Sequence, residues 1–195
     1  MTDTAAEAVL LGAGLLPGSA PGSAPGAAPD PGGPGAPAVG HADAVVFAVG
    51  DAERAARRYR AALGLRCTAY AGPETGEPDT VSYVLAAPGT RIVLTSPVRV
   101  LGPLGPRGRE LAAYLERYGD GVLDVAVSVP DVYYAYDYAV DRGALSLAEP
   151  YETRDAYGAV VLATIGVPGG TRHTLVDRAG YAGPYLPGFV PYDGF

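Results

Sequence analysis

Lysine and tryptophan are both missing from this sequence; all 14 basic residues of the 195-residue chain are arginine. Against them stand 21 acidic residues, a formal net charge of −7. Such a chain lacks the excess of positive charge that nucleic acid or an anionic membrane surface attracts. There is one cysteine, Cys67, which excludes an internal disulfide and any Cys-rich metal knuckle. No run approaches the roughly 18–20 apolar residues of a membrane helix. The apolar stretch over 8–16 follows Asp3 and Glu7 with no basic residue before it, so it has no signal-peptide start. These absences lead us to expect a cytoplasmic protein with neither a membrane nor a nucleic-acid partner. Glycine (28) and proline (19) are plentiful, about twice their usual share. The lysine-free, Ala/Gly/Pro/Arg-heavy usage reads as codon bias and carries no functional message.

Composition divides the chain. The stretch 17–37 repeats GSAP- and GAAP-type phrases, has seven prolines and carries almost no charge. It cannot bury enough apolar surface to offset its ordering entropy, so residues 1–40 are expected to form a disordered tail. The expected domain covers 41–180.

Within it one unit occurs twice. The first copy opens with a strand-like run over 44–50, then Asp51 as N-cap, a helix over 52–63 and Gly64 as its stop. Ala52, Ala55, Ala56, Tyr59 and Leu63 share one face of that helix. Strands are expected at 65–70, 81–86 and 91–95. The second copy has a strand over 122–129, a helix over 132–142 stopped by Gly143, and strands at 145–149, 159–166 and 172–177. Asp51 to Asp131 is 80 residues, Gly64 to Gly143 is 79 and Arg91 to Arg172 is 81. A bridging helix over 107–118 presents Leu111, Tyr114, Leu115 and Tyr118 as a stripe. The fold class is therefore α+β: two tandem β-α-β-β-β units, 43–98 and 120–178, packed together to close a core.

Paired units of this kind resemble the vicinal oxygen chelate (glyoxalase/bleomycin resistance) superfamily. Five strings narrow the resemblance: DAVVFAVGDA (43–52), YAGPETGEPDTVSYVLAAPGTRIVLTSPV (70–98), YGDGVLDVAVSVPD (118–131), AEPYETRDAYGAVVLATIG (148–166) and TRHTLVDRAGYAGPYLPGF (171–189). Together they are similar to the N-terminal half of bacterial 4-hydroxyphenylpyruvate dioxygenases; hydroxymandelate synthases share the fold and substrate. The resemblance implies a non-haem Fe(II) enzyme of tyrosine breakdown. Such an enzyme turns 4-hydroxyphenylpyruvate and oxygen into homogentisate and carbon dioxide. It also implies that the iron ligands, two His and a carboxylate, lie in the C-terminal half.

The corresponding corners here are Ala44, Asp124 and Thr174, a degenerate set that cannot form a ferrous triad. We therefore expect no metal, cofactor-binding or catalytic residue in this chain and no activity from it alone; the alternatives are a non-catalytic binding or scaffold module of the same fold and a hydroxymandelate synthase-like half. Its expected partner is a C-terminal catalytic half or a further copy of itself. The tail 181–195, with Tyr181, Tyr185, Leu186, Phe189, Tyr192 and Phe195, is expected to lead toward that half and dock on a neighbouring surface.

Other residues have side chains capable of chemistry. His41 and His173 lie an odd number of strand positions from Ala44 and Thr174, so each should face away from those corners. Cys67 reads as a buried core residue with no adjoining His. Glu149, Glu152, Asp155 and Asp177 have no spacing that specifies an acid–base pair. The glycines of 102–108 and 166–170 lack the strand–loop–helix order of a phosphate cradle and read as turns. Tyr133, Tyr134 and Tyr138 occupy the outer face of the second unit's helix, a candidate packing surface for a subunit or partner.

Overall fold

The computed structural model describes residues 35–98, 103–166 and 171–195. The expected tail over 1–40 thus falls almost wholly outside the described residues. So do Gly102 and the glycine turn after Gly166.

Among the described residues, nine strands and three helices follow in the order β1 (Ala42–Ala48), α1 (Ala52–Leu63), β2 (Arg66–Ala71), β3 (Thr80–Ala87), β4 (Thr90–Pro97), α2 (Pro106–Tyr118), β5 (Gly121–Ser128), α3 (Val132–Asp141), β6 (Leu145–Asp155), β7 (Gly158–Gly166), β8 (Arg172–Asp177) and β9 (Val190–Pro191). A 3₁₀ turn spans Pro73–Thr75. The strands form one curled mixed sheet in the order β6-β7-β8-β5-β1-β4-β3-β2-β9. Each unit contributes four consecutive strands and pairs its first with its last in parallel, β1 with β4 and β5 with β8.

The units meet where β1 pairs antiparallel with β5. This seam is two-fold symmetric to the residue. Ala44 opposes Ala126 and Val46 opposes Asp124, so each partner pair maps onto the other under the 80-residue offset. Two bulges obey the same offset: Asp43 is the extra residue on β1, and Leu123 the extra residue on β5. A bulge carries one unpaired residue and re-aims its side chain. That is how Asp43 and its neighbour Ala44 come to be buried together.

Period-two alternation supplies both faces of the sheet. On the concave face Ala44, Ala69, Val84, Val93, Ala126, Val160, Leu162 and Val176 form one core. On the convex face α1 covers Leu65, Cys67, Tyr83, Leu85 and Leu94, while α3 covers Val127, Ala163, Ile165 and Leu175. Asp51 caps α1, its carboxylate accepting from the Arg54 N–H at 3.0 Å, and Gly64 ends the helix at φ +67. Asp131 repeats this at α3, accepting from the Tyr134 N–H at 3.0 Å.

Several expectations need correction. Leu63 is 59% exposed: Ala52 and Ala56 alone of α1 are fully buried, and the last turn overhangs the sheet. Tyr118 of the bridging stripe is likewise exposed. β6 continues six residues beyond Glu149, because a register shift between Ala148 and Tyr151 in its pairing with β7 absorbs Pro150. The C-terminal stretch folds back onto its own sheet instead of a neighbouring surface. Tyr185 enters the concave core, β9 pairs with β2, and Tyr192 and Phe195 pack on Tyr83.

Candidate functional site

The concave face opens into a cleft of about 290 Å³ that spans the seam. Hydroxyls and one carboxylate line its floor. Ser82 of β3 donates to Thr95 of β4 at 2.8 Å. From the second unit, Asp124 accepts from the Thr174 N–H at 3.0 Å and from the Thr174 hydroxyl at 2.5 Å, and Thr164 stands 3.2 Å from that hydroxyl. Burial pushes the Asp124 carboxyl above the usual carboxylate range, and the two Thr174 hydrogen bonds oppose that push. At the rim Arg172 pairs with Glu110 and Arg107 with Glu77. A second lobe of about 360 Å³ continues along Thr75, Thr153 and Pro187.

Beside the cleft lies a buried charge cluster that the sequence did not reveal. Asp43 binds Arg91 at 2.8 Å through one oxygen and Arg178 at 2.5 Å through the other. Both guanidiniums lie over the Tyr185 ring, 5.4 and 5.2 Å from its centre, and Arg178 also donates to the Tyr185 carbonyl. Burial drives the Tyr185 phenol upward, so it stays protonated. The only local hint was an acid inside an apolar strand, and Asp124 sits in the same kind of context.

The remaining candidates are scattered. His41 is exposed, just ahead of β1. His173 faces the convex core, opposite to Thr174, with its Nδ1 buried and unpartnered. Burial holds its pKa below the usual imidazole value. The Cys67 thiol is buried and pushed up to about 11. Glu149 is exposed, Glu152 pairs with Arg154, Asp155 accepts from the Tyr181 hydroxyl at 2.8 Å, and Asp177 caps the Ala179 N–H. Tyr133 and Tyr134 are exposed; Tyr134 donates to the Gly35 carbonyl, and the Arg142 guanidinium lies 3.4 Å from the Tyr138 ring centre.

The duplicated unit, the curled sheet and the central cleft have a counterpart among known families. A family model described as the Glyoxalase/Bleomycin resistance protein/Dioxygenase superfamily matches residues 40–175. The chain belongs to this superfamily. Among curated superfamily relatives, 4-hydroxyphenylpyruvate dioxygenase of Dictyostelium discoideum is 43% identical over 149 residues, which is 76% of this chain and 39% of the relative. The enzyme of the same name from Yarrowia lipolytica is 38% identical over 76% of this chain and 37% of its own length. The chain thus spans about two fifths of these relatives. A solved structure of a 4-hydroxymandelate synthase mutant from Streptomyces coelicolor superposes with TM-score 0.66 and 30% identity, covering 80% of this chain and 42% of that one. Methylmalonyl-CoA epimerase from Mycobacterium tuberculosis shares the fold at TM-score 0.54 and 23% identity, over 72% of this chain and 89% of that one.

The corner positions can be tested against the iron that the superfamily's dioxygenases imply. Ala44 has no donor atom. The hydroxyl of Thr174 is spent on Asp124, and the Asp124 carboxylate is held by Thr174. Among the described residues no three His, Cys, Asp or Glu side chains gather at one point. These residues do not fit a ferrous ion, which needs several charged or imidazole donors around it. Nor does any described helix have the length and apolarity to cross a membrane.

Proposed function

We propose that this chain is the supporting N-terminal half of a 4-hydroxyphenylpyruvate dioxygenase, with oxygen chemistry confined to a partner half that carries the iron ligands. One observation carries this reading. Where a superfamily metal site would have coordinating groups, Asp124 and Thr174 are bonded to each other beside Ala44. The two curated dioxygenases, each matched over about two fifths of its length, support it. The chain's own residues then work structurally. The β1–β5 seam sets the curvature, and the Asp43 cluster holds the C-terminal stretch on the sheet. The proposed partner is the catalytic half, and the proposed setting is the cytoplasm.

The experiment is iron analysis and oxygen uptake with 4-hydroxyphenylpyruvate, first with this chain alone and then with a chain supplying the rest of the relatives' length. Alone, the protein is expected to keep no stoichiometric iron after desalting and to consume no oxygen; uptake should appear in the mixture. One tightly held iron per chain, or oxygen uptake by the chain alone, would overturn the proposal. The hydroxymandelate synthase likeness supports a second reading, in which the same half serves that enzyme. The product of the mixture, homogentisate or hydroxymandelate, separates the two.

A further inference from the structure

The floor of the cleft carries hydrogen-bonding capacity that the chain leaves unused. Ser82 and Thr95 share one contact, but two hydroxyls own two protons, and the Thr95 proton is left over. Opposite them, the Thr174 hydroxyl proton goes to Asp124, so Thr164 must be the donor in its contact with Thr174. The chain of donation therefore ends at Asp124. An ionised carboxylate offers about four acceptor positions, and Thr174 fills two of them. A protonated carboxyl would instead present an O–H. In either form the half-buried group keeps a hydrogen-bonding position open toward the cleft. The rim arginines do not fill it, since Arg172 turns to Glu110 and Arg107 to Glu77. Between the two polar sides the walls are apolar: Val46, Val93, Leu111, Leu162, Leu186 and Phe189. The volume, about 290 Å³, lies near the lower end for small-molecule sites, about 300 Å³.

We propose that this cleft binds a small uncharged molecule consisting of an apolar ring and a hydroxyl, the hydroxyl on Asp124 and the ring between Leu162 and Phe189. A hydroxyl both donates and accepts, so it satisfies Asp124 in either protonation form. A carboxylate ligand would bring a like charge to Asp124 while both rim arginines are engaged. The proposal goes beyond the supporting role, because it needs no second half and no metal.

The test is titration of the full chain with p-cresol, toluene and benzoate, followed by calorimetry and by protein NMR. Saturable one-to-one binding of p-cresol is expected, at least about tenfold tighter than toluene, as a hydrogen bond to a carboxyl group provides; benzoate should not bind. Val46→Phe, which fills the cleft from β1, should abolish p-cresol binding. Asp124→Leu, which removes every polar atom at that place, should bring p-cresol down to the affinity of toluene. Should either variant fail to fold, the ratio of p-cresol to toluene on the unaltered chain still decides. Equal affinity for the two, no saturable p-cresol binding, or full binding by a folded Val46→Phe protein would overturn the proposal. None of these outcomes depends on iron content or oxygen uptake, so this site and the supporting role stand or fall separately.

Discussion

Two buried ionisable residues set how the molecule responds to change at single positions. Asp43 is 4% exposed at its side chain and pairs with both Arg91 and Arg178, whose side chains are 30% and 19% exposed. Taking away one member of a buried ion cluster leaves the others uncompensated, at a cost of about 3–5 kcal/mol. Asp43→Ala should lose stability of that order in urea unfolding. His173 governs the acid limb. Its folded pKa lies below the ordinary 6.5 because burial disfavours the cation, so below about pH 6.5 the unfolded state binds more protons than the folded one. Its contribution is complete above that pH and is lost as pH falls toward the folded value. Asp124 has the opposite sign: its raised pKa makes its contribution greatest in acid and lost as pH rises through the folded value. His173→Leu should therefore flatten the fall in unfolding free energy below about pH 6.5, the free imidazole pKa. The parity argument from sequence placed the His173 side chain opposite Thr174, as observed. The burial of Asp43 was not legible, since it depends on a bulge and on two arginines 48 and 135 residues away.

At the scale of elements, the helices were readable and the longest strand, β6, only in its first five residues. Asp51 with Gly64, and Asp131 with Gly143, bracket α1 and α3 through local chemistry that needs no tertiary partner. β6 hides its length because Pro150 interrupts it and most of its residues face solvent. It also ends the sheet and exposes Leu145, Leu147 and Tyr151. Edge strands invite pairing with other chains unless charge, proline or bulges prevent it. β6 has all three, with Glu152 and Arg154 beside Pro150 and two irregularities in its register. Glu152→Val combined with Arg154→Thr removes the charges while raising strand propensity. Size-exclusion chromatography of the double variant should show self-association that the unaltered chain does not share.

Taken whole, the molecule is a duplicated unit closed by its own end. The repeat offsets made the two-unit architecture legible, because duplication leaves the same caps and stops about 80 residues apart. The docking of residues 181–195 was not legible: Tyr185 is buried in the concave core with Arg91 of β4 and Arg178, just past β8, over its ring. Removing 181–195 should strip the concave core of Tyr185, Leu186 and Phe189 together. Circular dichroism with heating should then show a broadened transition at lower temperature than that of the full chain. The pairing of Val190 with Tyr70 has a mechanical corollary. A pull applied at the carboxyl end would be felt first by the opening unit and not by the one that precedes that end in sequence. Such a load would first lift Phe195 and Tyr192 from Tyr83 and then peel β9 from β2, and the later unit would give way only after the strap has come off.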